Sequence, residues 1–472
     1  MPRASFLADL RSVLAARNFR RLFATRLVSQ AGDGLFTAGI SAYVFFSKST
    51  FPNPATAAAA FTVLYLPYSV IGPFVGVFID RWSRRQILVW SALLRAVLVA
   101  LTASLVAAGS LGLPLYISVL GVFGVNRFFL SSLSAALPHV VSDGMLVMAN
   151  SVAPTSGTIA AFLGGLTGLG VHLVSGAGRG GSALVVLVAA ACYLLSGAVG
   201  ATMGRDLLGP PPLPPGVARA QLRTELAAVL QGLASGARHV WQRRPAAAAL
   251  GATGAQRAAY GILLLTSILL YRNYFYRSAS ANASLASFTL VVVASAIGYG
   301  AAAVIVPVVT RRLSKAACIA LLLVAGGVIT GVLGPAFRQP AFLVISLALG
   351  VVAQGIAICA TTILQQQMAD SYRGRVFALY DMMFNVPFVI GALAAAQFIP
   401  DDGKSYPLIG VAAGCYVVAG CGYALASRQD LAAGPLPESS GGGSPSAGSP
   451  GSSPSAASPG SSPSSSAQRR SS

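Results

Sequence analysis

Long apolar runs, each of about 20 residues or more, follow one another from residue 19 to residue 426 with only short polar breaks. A helix needs about 20 residues to cross a hydrocarbon layer about 30 Å thick. Twelve such runs can be marked, at 19–46, 57–79, 86–108, 113–137, 151–175, 182–203, 246–271, 285–309, 316–335, 341–363, 375–398 and 406–426. Only 9% of the 472 residues are charged, against about a quarter in an ordinary soluble domain. That leaves too little polar surface to cover a globule of this size, so lipid must replace water around most of it. In lipid the backbone has to satisfy itself, and runs of this length do so as helices. The expected class is therefore an all-α membrane protein with twelve transmembrane helices. The first run is not read as a cleaved leader, being too long and followed by eleven more.

The formal net charge is +20. A charge of this size could signal nucleic-acid binding, but the basic residues lie between the apolar runs and form no continuous patch. Their distribution sets the topology instead. With the N-terminus inside, 22 basic residues fall in inner segments and six in outer loops, a strong positive-inside bias. Both termini are thus expected on the cytoplasmic side of a multi-pass protein of the cell membrane. Only Lys48, Lys315 and Lys404 among the basic residues are lysines, which together with the abundant Ala and Gly points to a GC-rich, bacterial coding sequence. The five cysteines (Cys192, Cys318, Cys359, Cys415, Cys421) lie within apolar runs and lack metal-ligand spacing.

The breaks divide the chain. Residues 1–18 suit an amphipathic N-terminal helix on the inner membrane surface. Residues 19–203 hold six runs and residues 246–426 six more, so two six-helix bundles are expected. Between them, 204–245 form a basic central loop that opens on the proline-rich Gly209–Gly216 and continues with a stripe of Leu222, Leu226, Leu230 and Leu233. Residues 427–472 are Ser/Pro/Gly-rich and nearly devoid of hydrophobes after about residue 430, and a disordered cytoplasmic tail is expected.

Two motif matches fail on context. Gly176-Ala-Gly178-Arg-Gly-Gly181 fits a dinucleotide fingerprint but lies between two apolar runs, with no strand before it. Gly403-Lys404-Ser405 mimics the end of a P-loop, yet Phe398 stands where the first glycine belongs. The histidines (His139, His172, His239) are scattered. No enzyme, cofactor or metal site is expected.

The informative stretch is Gly72-Pro73-Phe-Val-Gly76-Val-Phe-Ile-Asp80-Arg81-Trp-Ser-Arg84-Arg85, at the inner end of the second run. Gly72 and Gly76 make a smooth face for close helix approach. Asp80 can accept from helix N-terminal amides, and the arginines can bind carboxylates or lipid phosphates. The stretch resembles G-x-x-x-D-R-x-x-R-[RK], found between helices 2 and 3 of the major facilitator superfamily, with every fixed position filled. Three further stretches resemble its drug-, macrolide- and siderophore-exporter branch. They are Ser29-Gln30-Ala-Gly32-Asp33-Gly34, Ala136-Leu137-Pro138 with Ala149-Asn150-Ser151, and Arg373-Gly374-Arg375-Val376. The resemblance covers about residues 15–426. It implies a gating motif of Gly76, Asp80, Arg81, Arg84 and Arg85, with Asp80 facing the start of helix 11. The exporters' helix-5 glycine–proline motif is matched without its proline at Ala160, Gly164, Gly165 and Gly168.

Charges inside hydrocarbon cost about 2.5–3.5 kcal/mol each on insertion scales and mark partners or wet cavities. Arg26, Gln30, Asp33 and Thr37 follow helical spacing and form one polar stripe on the first span, which would line a central path and makes Arg26, Gln30 and Thr37 candidate cavity residues. Asp33 is the first candidate for proton binding, with Arg127 or Arg257 as a releasable partner and Arg127 preferred; the alternative is a static Asp–Arg pair that orders the helices. Asp381 is a further coupling candidate, or a gate residue paired with Arg373 or Arg375. Arg95 reads either as a pathway charge or as a structural one. Gln256, Arg257, Tyr260, Gln354 and Asn385 are candidate cavity residues. Tyr43, Phe45, Tyr65, Phe128, Phe129 and Phe384 are aromatic candidates for substrate contact.

The expected protein is a monomeric secondary transporter that exports an amphipathic small molecule against protons, working by alternating access between the two bundles. An importer or lipid/siderophore transporter of the same fold is the alternative, followed by a non-transporting sensor or scaffold.

Overall fold

The computed structural model describes residues 6–46, 54–71, 74, 83–142, 145–176, 178–204, 207–208, 215–276, 281–368 and 373–433, with backbone alone at 6–10, 64–71, 146–148, 150–151, 215–227, 281, 373–374 and 428–433. Gly76, Asp80 and Arg81 of the gating motif lie outside the described residues, as do 209–214 and the tail beyond residue 433.

Among the described residues the chain is helical, with no strand. A short helix, α1 (Phe6–Ala15), precedes the first predicted run, which forms α2 (Arg17–Ser41). Arg20 donates to the carbonyls of Leu14 and Ala15 and so caps the end of α1. Next come α3 (Pro54–Ile71), α4 (Arg84–Ala107), α5 (Leu113–Ala136), α6 (Leu146–Ser175) and α7 (Arg179–Ala201). The central segment contains α8 (Pro215–Trp241). The second series is α9 (Arg244–Leu269), α10 (Ala281–Val309), α11 (Lys315–Leu333), α12 (Gln339–Gln367), α13 (Arg373–Ala396) and α14 (Tyr406–Ala433). Both α2 and α9 run on into a wide π-helical turn, Ala42–Phe46 and Leu270–Phe275.

Among the described residues nine helices are long and apolar enough to cross a membrane: α4–α7 and α10–α14. The other three predicted runs also fold as helices, α2, α3 and α9. The described side chains of α3 end at residue 63, and α2 carries Arg17, Arg20, Arg21, Arg26 and Asp33 along its length.

The polarity of α4 is inverted relative to a soluble helix. Trp90, Leu94, Val97 and Leu101 face outward, Trp90 being 68% exposed, while Ser91, Arg95 and Thr102 are buried. An apolar stripe turned out and a charge turned in is the pattern a lipid solvent selects.

Within the first series α2 packs on α6 and α7, α4 on α5 and α7, and α3 on α5. Within the second, α9 packs on α12 and α13, α10 on α12, and α11 on α12. Gly327 of α11 sits against Ala413, Tyr416 and Val417 of α14. The two series meet closely along α3 and α13 and much more sparingly along α6 and α10.

Glycines set the closest approaches. A Cβ on Gly34 would collide with the backbone of Ala161 and Gly165, and one on Gly164 with the backbone of Ala31. The helix-5 glycine stretch is thus the surface on which α2 lies, and small residues at such a crossing let the backbones approach. Replacing Gly34 with Val should part the two helices. The yield of monodisperse protein in mild detergent is expected to fall about tenfold, the outcome of severe overpacking. Gly170→Ala, on the same α6 but with open space around it, should leave the yield unchanged.

Candidate functional site

Three groups of polar side chains lie within the helical body. The first joins α2, α4 and α7. Arg95 is completely buried and pairs with Asp33, whose side chain is 16% exposed. Arg95 also donates to Ser29 Oγ at 2.9 Å, and the Tyr193 hydroxyl donates to Asp33 at 2.8 Å. The Arg95 guanidinium lies 3.8 Å from the Tyr193 ring centre and 5.3 Å from that of Phe129. Gly32 explains how Tyr193 reaches the acid, because a Cβ there would press on Tyr193 and Cys192 at 3.0 Å. Each residue of Gly32-Asp33-Gly34 therefore has its own neighbour: Tyr193, Arg95 and the α6 backbone.

The partner of Asp33 is therefore Arg95, not Arg127 or Arg257 as the sequence suggested. Arg95 was recognisable from its own helix, where it lies on the face opposite Trp90, Leu94 and Val97. Tyr193 left no mark in an otherwise ordinary apolar run. The polar stripe of α2 is also divided among neighbours. Arg26 Nε donates to Gln30 Oε1 at 3.1 Å, beside Gly157 of α6. The Thr37 hydroxyl donates to the Asp33 carbonyl of its own helix.

The second group links the two series. Arg127 of α5 pairs with Asp381 of α13 at 2.5 Å, with side chains 23% and 46% exposed. Asn385 donates to the Asp381 carbonyl at 2.9 Å and shares its face of α13. Asp381 therefore does not pair with Arg375. Arg375 instead donates to Ser235 Oγ at 3.3 Å and lies over Gly232 and Gly236 of α8, while the Arg373 side chain is outside the described residues. Counting 1.5 Å per residue, the pair lies about 12–14 Å along the helices from the end that carries α8. At that end Arg85 donates to the Ala201 carbonyl at 2.7 Å and Arg21 to the Thr202 carbonyl at 2.9 Å. Arg84 donates to the Leu208 carbonyl at 3.3 Å and approaches His139. These arginines hold the carboxyl end of α7 and the turn after it, where the helix dipole is negative. Among the described residues the protein groups that Arg84 and Arg85 meet are main-chain carbonyls and, for Arg84, His139. At the opposite end the series touch again: Arg272 donates to the Phe45 carbonyl at 2.5 Å, and Phe46 meets Phe288 with ring centres 5.3 Å apart. The predicted run ends at residue 271; the wide turn that extends α9 makes Arg272 part of this contact.

The third group surrounds Arg257 on α9. This residue is 6% exposed, and its Nε donates to the Phe384 carbonyl at 2.7 Å. Rings of Phe384, Phe388 and Tyr260 stand 4.0, 4.9 and 5.3 Å from the guanidinium. Tyr260 also lines a cavity of about 700 Å³ between α6, α9, α10 and α12. Gln256 is buried and lies within 3.5 Å of the Tyr416 hydroxyl, so it serves packing of α9 on α14. Gln354 is half-buried on α12. Tyr43 and Phe129 are fully buried and Phe45 nearly so, as packing residues; the Tyr65 side chain lies outside the described residues.

A sequence model of the Major Facilitator Superfamily matches residues 22–392. Two curated relatives are uncharacterized MFS-type transporters of Mycobacterium tuberculosis and Mycobacterium bovis. Each is 35% identical over 395 residues, spanning 84% of this chain and 88% of the relative. Among solved structures, the nucleoside transporter NupG aligns with a TM-score of 0.64 at 14% identity, over 86% of this chain and 98% of its own. A peptide transporter of the POT type aligns with a TM-score of 0.64 at 15% identity, over 89% and 98%. At such identities the likeness is one of fold.

Proposed function

Because the chain belongs to the major facilitator superfamily, whose members are transporters and not enzymes, we propose that it is a proton-coupled exporter of an amphipathic small molecule. It spans the cytoplasmic membrane with twelve helices in two six-helix bundles, 19–203 and 246–426, and works as a monomer with both termini inside. The Arg127–Asp381 pair carries this reading. It joins the two series, and each partner keeps access to solvent-sized space. Protonation of Asp381 removes the attraction, frees Arg127 and lets the α8-bearing ends part. Reformation of the pair closes them. Such an element is bistable, as alternating access requires.

Asp33 fits a different role. Its carboxylate is clamped by Arg95 and Tyr193 within one series, and nothing in that contact changes when the two series separate. It holds α2, α4 and α7 as one body. In the gating motif, as the resemblance implies, Asp80 would face the start of α13 and Arg81 and Arg84 would belong to the inner gating network, while Arg84 and Arg85 anchor the end of α7.

The test is proton movement in liposomes driven by a panel of amphipathic dyes, both anionic and cationic. Asp381→Asn is expected to abolish dye-driven proton flux while dye–dye exchange persists. Full coupled flux in that variant would refute the proposed coupling.

A further inference from the structure

Arg257 presents an imbalance. It is 94% removed from solvent, lies among helices that cross the membrane, and has no carboxylate paired with it among the described residues. Its Nε is bonded to the Phe384 carbonyl, but neither terminal nitrogen meets an acceptor there. Three aromatic rings cover it, and cation–π attraction offsets only part of the cost of a buried charge. By contrast Arg95 and Arg127, on α4 and α5, each hold an acid.

Across the Tyr260 ring from this cation opens the cavity of about 700 Å³, within the range that holds drug-sized ligands. Its walls are almost wholly apolar, including Phe162, Leu166, Val292 and Leu349. The polar exceptions include Tyr260, which touches Arg257, and Tyr299. The cavity lies where α6 faces α10, the side on which the two series pack sparingly. A guanidinium short of a counter-ion, one tyrosine ring away from an oily chamber, suits one kind of occupant.

We propose that this site binds a single-chain amphipathic anion, with its carboxylate or phosphate head on Arg257 and its apolar body in the α6–α10 cavity. The planar fork of arginine matches either head bidentately. The inference rests on the transporter reading only for the claim that this ligand is cargo.

The probe is dodecanoate carrying a photoactivatable diazirine near its methyl end, added to the full chain in phosphatidylcholine nanodiscs. Labelled peptides are mapped by mass spectrometry. Saturable labelling is expected on α6 and α10, competed by dodecanoate and by dodecyl phosphate but not by dodecyltrimethylammonium. Competition by only one of the two anions would assign the head group. Arg257→Gln should weaken competition at least about tenfold, the loss of one charge-assisted pair, whereas Arg257→Lys should retain most of it. Ala296→Trp, which fills the cavity and keeps the arginine, should abolish the labelling. Equal competition by the cation would overturn the proposal, as would unchanged labelling in Ala296→Trp. Distances between spin labels at positions 134 and 377 separate the two readings. If they respond to pH while the anion fails to bind, the transport reading stands and this one falls.

Discussion

Arg95→Leu is expected to destabilise the protein by about 3–5 kcal/mol, the usual consequence of removing one member of a buried ion pair. The loss exceeds that of the contact itself, because Asp33 would remain buried with a charge and no cation, held only by neutral hydrogen-bond donors such as Tyr193 and Asn126. Thermal unfolding in mild detergent should show a lowered midpoint. Asp33→Asn should be milder, since Arg95 keeps Ser29 and the rings of Tyr193 and Phe129. The double variant Asp33→Asn with Arg95→Met should recover much of the stability lost in Arg95→Leu, because no unpaired charge is left. If Arg95→Leu melts with the wild type, the clamp has no structural role.

Charge reversal at Asp381 should have the largest effect on conformation. Asp381→Arg places two guanidinium groups where a pair stood. Unit charges about 4 Å apart repel by about 4 kcal/mol at an effective dielectric of 20, a figure reduced here by the partial exposure of both groups. Even a third of that shifts a two-state equilibrium about tenfold. Spin labels at Ser134 of α5 and Phe377 of α13 should report the ends parting, with the long-distance population rising and transport falling. The exchanged pair, Arg127→Asp with Asp381→Arg, should restore the short distance. Failure of the exchange to restore it would mean that the α8-side closure does not depend on this pair.

Much of the fold was legible because the lipid solvent imposes a simple rule on sequence: each crossing needs an unbroken apolar run, and among the described residues nine of the predicted runs form helices long and apolar enough to cross, while the other three are helical where described. The glycine stretches were also readable, since close helix approach demands small residues. Partner choice was not. Whether Asp33 meets Arg95 or Arg127 depends on how α2, α4 and α5 are rotated about their axes, and a one-residue change turns a side chain by about 100°. Depth along the helix could be counted from the sequence, but rotation could be inferred only where a helix had a clear lipid face, as α4 does. Contacts between the series were harder still. Neither Arg127–Asp381 nor Arg272–Phe45 has a local signature, because each joins positions more than 220 residues apart.

The two wide turns that extend α2 and α9 occupy matching places at the first helix of each series. The closure they support is made by a side chain on the turn after α9 and a main-chain oxygen on the turn after α2. An oxygen of that kind is supplied by whichever amino acid stands there, so evolutionary drift at position 45 costs the latch little while drift at 272 removes it. The opposite closure uses two side chains and tolerates change in neither. One rim of the helical body is thus free to diversify at position 45, while the other is bound to covary as a couple at positions 127 and 381.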